Sequence, residues 1–339
     1  MQLAAFPRAP LAHLPTPLEP MASLSKHLGG PNLYIKRDDC TGLATGGNKT
    51  RKLEFLIGDA LEAGADTVIT AGAIQSNHTR QTAAAAAKMR LKCEHILVHP
   101  EKEHGSEYIF GGNVLLNRIL GAELNYLDPG DDVLSAMQKR AESVRASGGV
   151  PYIIPIGGSN PIGALGYVGA AHELEMQADL LGFKIDCVVT ATASGSSQSG
   201  LVVGFLGSSR APRIIGFNVY LDDSVVQAHV LEVAVAAAEL VGIRGGVPDD
   251  TVVVDGAYRG TGYGEPTDEM VEALGLLARF EGIVLDPVYT GKAFAGLINR
   301  IREGFFRASD NVVFLHTGGI PELFVYRSSF EKLTGVPST

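Results

Sequence analysis

The chain has 339 residues, 45% of them hydrophobic and 19% charged, with 28 Lys and Arg against 37 Asp and Glu and a formal net charge of −9. That much apolar material excludes wholesale disorder, and no run of 18 consecutive apolar residues offers a membrane-spanning helix. The acidic balance argues against a general nucleic-acid binder, because phosphate contacts need positive charge.

The length predicts about two domains at roughly 150 residues each. In the opening stretch, Pro7, Pro10 and Pro15 interrupt a segment with no basic start and no long apolar run, so no secretory leader is expected. Cys40, Cys93 and Cys187 are odd in number, far apart and match no metal-ligand spacing. They read as reduced thiols, with no metal site, and point to a cytoplasmic protein.

In chain order, Thr50–Ala63 predicts a helix, with Leu53, Leu56, Ile57, Ala60 and Leu61 on one face. A strand over Thr67–Thr70 leads into a helix over Gln75–Met89, whose Ala83–Ala87 run favours helix and close packing. Strands follow at Ile96–His99 and Leu124–Leu127, a helix at Asp131–Ala146, a strand at Tyr152–Pro155 and a helix at Leu165–Leu180. Cys187–Ala191 (strand), Gln198–Leu206 (helix), Ile214–Val219 (strand), Ser224–Val241 (helix) and Val252–Asp255 (strand) continue the alternation. Helices over Asp268–Phe280 and Lys292–Arg302 alternate with strands over Ile283–Leu285 and Val312–His316. Strand–helix alternation of this kind predicts βαβ units with parallel sheets covered on both faces.

Glycines gather where predicted strands meet helices: Gly46-Gly47, Gly157-Gly158, Gly195 and Gly318-Gly319. Ligands of open α/β sheets sit beside such turns, so one shared pocket is expected, although any tight turn also uses glycine. In Gly46-Gly47-Asn48-Lys49-Thr50-Arg51-Lys52, Lys49 would stand at a helix N-terminus, where the dipole lowers an ammonium's pKa and favours covalent chemistry with a carbonyl. Lys52, one turn on, could reach an anion held nearby; the plain alternative is a solvated basic helix start.

Ser194-Gly195-Ser196-Ser197 opens a helix after an apolar strand, a pattern that suits a phosphate. It lacks the spacing of a dinucleotide fingerprint. Gln75-Ser76-Asn77-His78 opens another helix and could receive a carboxylate, or could simply be a long cap. Ser76 and His78 are two residues apart and do not face each other on a helix, so no Ser–His–Asp triad is expected. Tyr258, Tyr263 and Tyr289 lie in or beside glycine-rich and strand-end turns, where a phenol could serve as acid or base or could merely pack.

Taken in order, these segments carry a resemblance. They are Leu14-Pro15-Thr16-Pro17-Leu18, Ile35-Lys36-Arg37-Asp38-Asp39, Gly46 to Lys52, Gln75 to Gln81, Gly163-x-x-Gly-Tyr167, Gly195 to Gln198, Gly262-Tyr263-Gly264, Leu285 to Tyr289 and His316-Thr317-Gly318-Gly319. The sequence resembles the 1-aminocyclopropane-1-carboxylate (ACC) deaminase / D-cysteine desulfhydrase family of pyridoxal 5'-phosphate (PLP) enzymes. The resemblance implies an α/β fold of type II, like the tryptophan synthase β chain, with two doubly wound parallel-sheet domains and the cofactor between them. The larger domain would comprise residues 1–50 and 162–339, and a smaller α/β domain, 51–161, would be inserted in it.

By the same resemblance Lys49 holds the cofactor covalently, Asn48 and Asn77 lie near its ring, and Lys52 with Ser194, Gly195, Ser196 and Ser197 takes its phosphate. Thr317 meets the pyridine nitrogen. Gln75, Ser76, Asn77, His78, Gly158 and Thr290 face the substrate, and Ser76, Tyr263 and Tyr289 act with Lys49 in catalysis. A homodimer acting on a small amino acid is implied, with neither nucleic acid nor membrane as partner.

Family members that open the cyclopropane ring carry Glu after the tyrosine of Asp-Pro-Val-Tyr and Leu in His-x-Gly-Gly. This chain has Thr290 and Thr317, and so resembles the D-cysteine desulfhydrases. Ala12 to Pro17 resembles the L-cysteate sulfo-lyases, and the Gly195 loop is nearer the deaminase form. The expected reaction is β-elimination from D-cysteine, then from L-cysteate, with ring opening third. A ligand-binding protein without chemistry is the alternative, against which the intact Lys49 and both tyrosines argue.

Overall fold

The structure, a computed structural model, describes residues 2–335. Among the described residues ten strands form two sheets: β1 (Leu18–Pro20), β2 (Asn32–Arg37), β3 (Thr67–Ala73), β4 (Lys92–Val98), β5 (Glu123–Leu127), β6 (Pro151–Ile153), β7 (Cys187–Thr192), β8 (Arg213–Asn218), β9 (Val253–Asp255) and β10 (Asn311–His316). The six-stranded sheet runs β1-β2-β10-β7-β8-β9 and the four-stranded sheet β5-β4-β3-β6. Every pairing is parallel except β1 with β2, where Glu19 faces Ile35.

Parallel strands need crossover helices, and these cover both faces. One face of the larger sheet packs Val188 and Ile214 against the helices Pro161–Leu181, Ser196–Phe205 and Asp223–Leu240. The other packs Val189, Ile215 and Phe314 against Asp268–Glu281 and Thr290–Arg302. In the smaller sheet Val68 lies under Lys49–Glu62 and Asn77–Met89, while Ile69, Ala71 and Ile96 lie under Val133–Ala146. Among the described residues no helix is long and apolar enough to cross a membrane, and no cluster of His, Cys, Asp and Glu could hold a metal ion.

The expected strand over Ile283–Leu285 is not one. β10 already has β2 on one side and β7 on the other, so the segment cannot pair beside it; Leu285 is buried instead as loop. The sequence reading also missed β1 and β2. In β2 the charged Lys36 disguises a buried strand: its ammonium reaches Thr16 O at 2.7 Å and Gln177 Oε1 at 2.6 Å, and pairs with Glu173 at 2.5 Å.

That pair belongs to a buried network which fixes the Lys49–Glu62 helix. Arg51, 2% exposed, donates from Nε to Asp38 at 2.8 Å, and from its terminal nitrogens to Asp38 (2.9 Å), Thr16 (2.9 Å) and Glu173 (2.8 and 3.0 Å). The Tyr167 hydroxyl also donates to Asp38. Burial pushes the Asp38 carboxyl upward, but the Arg51 charge and hydrogen bonds and the Lys36 charge bring it below the ordinary carboxylate range.

Candidate active site

A cleft of about 720 Å³ opens between the two sheets, at the carboxyl ends of β3, β7 and β10. Its wall includes Asn48, Lys49, Lys52, Ser76, Asn77, His78, Ser194, Gly195, Ser197, Tyr263, Tyr289 and Thr317. The strand ends of one sheet supply the Ser76 and Asn77 helix start, and those of the other supply Ser194–Ser197 and Thr317. This is where open α/β sheets place ligands.

Lys49 begins its helix after two glycines that no other residue would replace without strain. Gly46 has φ 71° and a Cβ there would lie 1.9 Å from Asp39 O; Gly47 has φ 130° and its Cβ would meet the Gln81 side chain at 2.6 Å. The loop is closed from the other side by Asn48 N–H donating to Thr317 O at 3.0 Å. Burial pulls the Lys49 ammonium down to about 8, a hydrogen bond with Lys52 and the charge of Glu322 opposing the shift. Lys52 is pushed well below the usual lysine range by burial and then by Lys49; its Nζ donates to Gly157 O at 3.2 Å. Neither lysine has a carboxylate within salt-bridge distance among the described residues.

Beside them the helix Ser196–Phe205 presents its N-terminus, preceded by Gly195 at φ 87°. The Ser196 N–H goes to Ser194 O at 3.2 Å and the Ser199 N–H to Gly195 O at 3.0 Å, leaving the Ser197 and Gln198 donors open as at any helix start. Asn48 Nδ2 donates to Ser197 Oγ at 3.0 Å and so ties the lysine loop to this cradle. Ser196 is turned away: it is fully buried and its hydroxyl is spent on Gly158 O at 3.2 Å. Ser196 and Gly158, expected at the ligand, are therefore not part of the cleft wall.

A second open helix start faces the same space. Ser76 caps Asn77–Met89, its Oγ accepting from Thr79 N–H at 3.3 Å, and the Asn77 and His78 N–H groups remain open. Thr70 Oγ1 donates to Ile154 O at 2.8 Å, so its contact with His78 at 2.8 Å is accepted from Nε2–H, and His78 Nδ1 has no partner among the described residues. Burial, then Lys49 and Lys52, hold this imidazole neutral, far below its usual range. Gln75 points elsewhere: it donates to Gly111 O at 3.1 Å and accepts from Asn113 N–H at 2.8 Å.

The hydroxyls of Tyr263 and Tyr289 are hydrogen-bonded to each other across the mouth. Burial raises both phenols above the usual tyrosine range, with Glu322 adding to Tyr263, and Tyr263 and Glu322 adding to Tyr289. Asp286 shapes the Tyr289 turn by accepting the Val288 and Tyr289 N–H groups at 2.8 and 2.7 Å. Thr290 is fully buried in that turn, its hydroxyl donating to Asp286 Oδ2 and accepting from Asp286 N–H at 2.9 Å, so it does not reach the cleft. Thr317 does.

Residues missed in the sequence also serve the site. Lys292 Nζ donates to Arg259 O at 2.7 Å and Gly262 O at 2.9 Å, holding the loop that carries Tyr263. Arg80 donates to Asn113 Oδ1 at 2.8 Å, Gly46 O at 3.1 Å and Asn77 Oδ1 at 3.3 Å. Glu322 accepts from Asn77 Nδ2 at 2.9 Å. For Lys292 and Glu322 the sequence signal was a charge inside an apolar or glycine-rich stretch, and Arg80 lies within the Gln75 to Gln81 segment without a role read for it.

Two lysines without a carboxylate partner, Lys52 buried and Lys49 half-buried, and two open helix starts make a seat for a dianionic, carbonyl-bearing group with a carboxylate beside it. The family model for pyridoxal-phosphate dependent enzymes matches residues 10–318. A 1-aminocyclopropane-1-carboxylate deaminase of Burkholderia ambifaria (strain MC40-6) is 44% identical over 337 residues, 98% of this chain and 100% of the relative. One of Burkholderia vietnamiensis (strain G4) is also 44% identical, over 97% of this chain and 99% of its own. A solved structure described as an ACC deaminase homologue superposes with a TM-score of 0.88 at 38% identity, covering 98% of this chain and 97% of that one. The chain belongs to the pyridoxal-phosphate dependent enzymes, in the ACC deaminase / D-cysteine desulfhydrase family; it has their type II fold, and its cofactor is PLP.

Proposed function

We propose that the chain is a PLP-dependent carbon–sulfur lyase that converts D-cysteine and water to pyruvate, sulfide and ammonia. PLP supplies an electron sink that makes the α-proton of a bound amino acid acidic and lets a β-substituent leave. Lys49 and Lys52, with the Ser197 and Gln198 N–H groups, would hold it. The open Asn77 and His78 N–H groups and the Ser76 hydroxyl suit the substrate carboxylate. Lys49, its pKa lowered by burial to about 8, is suited to take the α-proton. The Tyr263–Tyr289 pair, uncharged and sharing a hydrogen bond, can hold or return a proton at the leaving group.

Thr317 carries the choice of substrate. It lines the cleft where the pyridine nitrogen is expected, and it is a neutral hydroxyl. The carboxylate that ring-opening family members carry at the position of Thr290 would help keep the nitrogen protonated and strengthen the sink, and this chain supplies one at neither Thr290 nor Thr317; a weaker sink suffices when the β-group leaves readily, as sulfide does. L-Cysteate is the second candidate for the same reason. The names of the Burkholderia relatives favour ring-opening deamination as the third. Product assays on the purified holoenzyme separate them: sulfide from D-cysteine, sulfite from L-cysteate, 2-oxobutanoate from ACC. Sulfide release is expected to dominate and to vanish in Lys49→Ala; ring opening faster than sulfide release would overturn the assignment.

A further inference from the structure

We propose that Glu322 is a positioning residue for the cofactor, anchoring the nitrogen end of the Asn77 side-chain amide, whose oxygen end Arg80 and Asn113 hold, so that its remaining N–H faces the cleft. This rests on the reading that PLP sits beside Asn77. Glu322 is 1% exposed, in the short helix Ile320–Leu323 that follows the glycine pair after β10. It does not itself line the cleft; Asn77 lies between.

The amide orientation follows from its partners. Asn77 Oδ1 faces Arg80 Nη2 at 3.3 Å and Asn113 Nδ2 at 3.0 Å. Arg80 can only donate. Asn113 Oδ1 already accepts from Arg80 Nε at 2.8 Å, so its nitrogen is the end turned to Asn77. Two donors on one side require an oxygen there. Asn77 Nδ2 must then point to Glu322, whose Oε1 accepts one of its two hydrogens at 2.9 Å. The other hydrogen has no partner among the described residues and is available to an acceptor on the cofactor. Without Glu322, the amide loses the partner that holds its nitrogen end.

The carboxyl need not be charged for this work. No N–H or hydroxyl donor of the described residues reaches Oε2 and the carboxyl neighbours Asp286, an arrangement costly for a buried anion. Burial and the neighbouring Asp286 raise Glu322 well above the ordinary carboxylate range, against the opposing charges of Arg80 and Lys49. An amide could therefore replace it.

The test is PLP binding to protein stripped of cofactor and titrated with PLP, read from the visible absorption of lysine-bound cofactor. Glu322→Met keeps the length but removes the acceptor, and Glu322→Gln keeps an acceptor. The Met variant should bind PLP about tenfold more weakly, and the Gln variant within about twofold of the unmodified protein, on the usual scale for a neutral hydrogen bond. In an Asn77→Ala background, Glu322→Met should add no further loss. Thermal midpoints of the stripped proteins check folding, and Glu322→Ala replaces Glu322→Met if the latter does not fold.

Unchanged affinity in Glu322→Met, equal losses in Met and Gln variants, or losses that multiply with Asn77→Ala would each overturn the proposal. Failure of the unmodified protein to develop the visible band would instead overturn the cofactor seat on which the proposal stands.

Discussion

Replacing Arg51 with Met tests whether the buried charge network anchors the lysine helix. Arg51 and Asp38 are 2% and 0% exposed, and the substitution leaves Asp38 without its guanidinium while Glu173 loses two further donors. Removing one member of a buried pair costs about 3–5 kcal/mol, because the other charge remains uncompensated. At about 1.4 °C per kcal/mol for a chain of this size, the thermal midpoint should fall by roughly 4–7 °C. Adding Asp38→Asn removes the stranded charge and should recover part of the loss.

The pH dependence has a defined sign. Asp38 and Glu173 both sit below their ordinary pKa, burial being outweighed by Arg51 and Lys36. Their contribution is therefore present above the ordinary carboxylate range and lost as pH falls through their lowered values. The gap between the unmodified protein and Arg51→Met should narrow in acid. Calorimetry across pH reads all three outcomes. A midpoint within about 2 °C of the original at neutral pH, or a double variant less stable than Arg51→Met, would refute the reasoning.

Two further outcomes concern the chemistry. Only a neutral amine attacks an aldehyde, so capture of PLP by stripped protein should accelerate as pH rises and level off above about 8, where burial places Lys49; a stopped-flow rate still climbing above about pH 10, the ordinary lysine range, would contradict that placement. Tyr289→Phe should lower turnover roughly 100-fold or more while leaving the visible absorption of the bound cofactor unchanged; a loss of under about threefold would remove Tyr289 from the proton path.

Much of this was legible because parallel-sheet proteins write their architecture in apolar strands and in glycines at strand ends. β7 is almost wholly buried, and Gly195, Gly47 and Gly318 mark turns where a side chain would strike backbone or a neighbouring residue. Local pattern cannot show where a polar atom spends its hydrogen bonds. Ser196, Gly158, Gln75 and Thr290 have the right chemistry at the right points in the chain, yet Ser196 and Gly158 bond each other and Thr290 bonds Asp286. Gln75 holds the 108–113 segment. Nor could pattern show that Ile283–Leu285, strand-like in composition, would find both edges of β10 taken.

The electrostatics of the cleft give an independent reason for a phosphate-bearing cofactor. Lys49 and Lys52 lie one helical turn apart, each lowering its charge through burial, with Lys49 depressing Lys52 further. Lys52 is only 1% exposed and its one bonded acceptor is a neutral carbonyl. Buried like charges without a counter-ion are costly to the fold. The open N–H groups at Ser197 and Gln198 add positive potential to the same corner rather than relieving it. A dianion there would pair both the lysine and the helix start, restoring the Lys52 ammonium to its charged form. Binding should therefore take up protons above the lowered Lys52 pKa and stabilise the fold, and Lys52→Met should abolish that uptake while leaving Lys49 free to react.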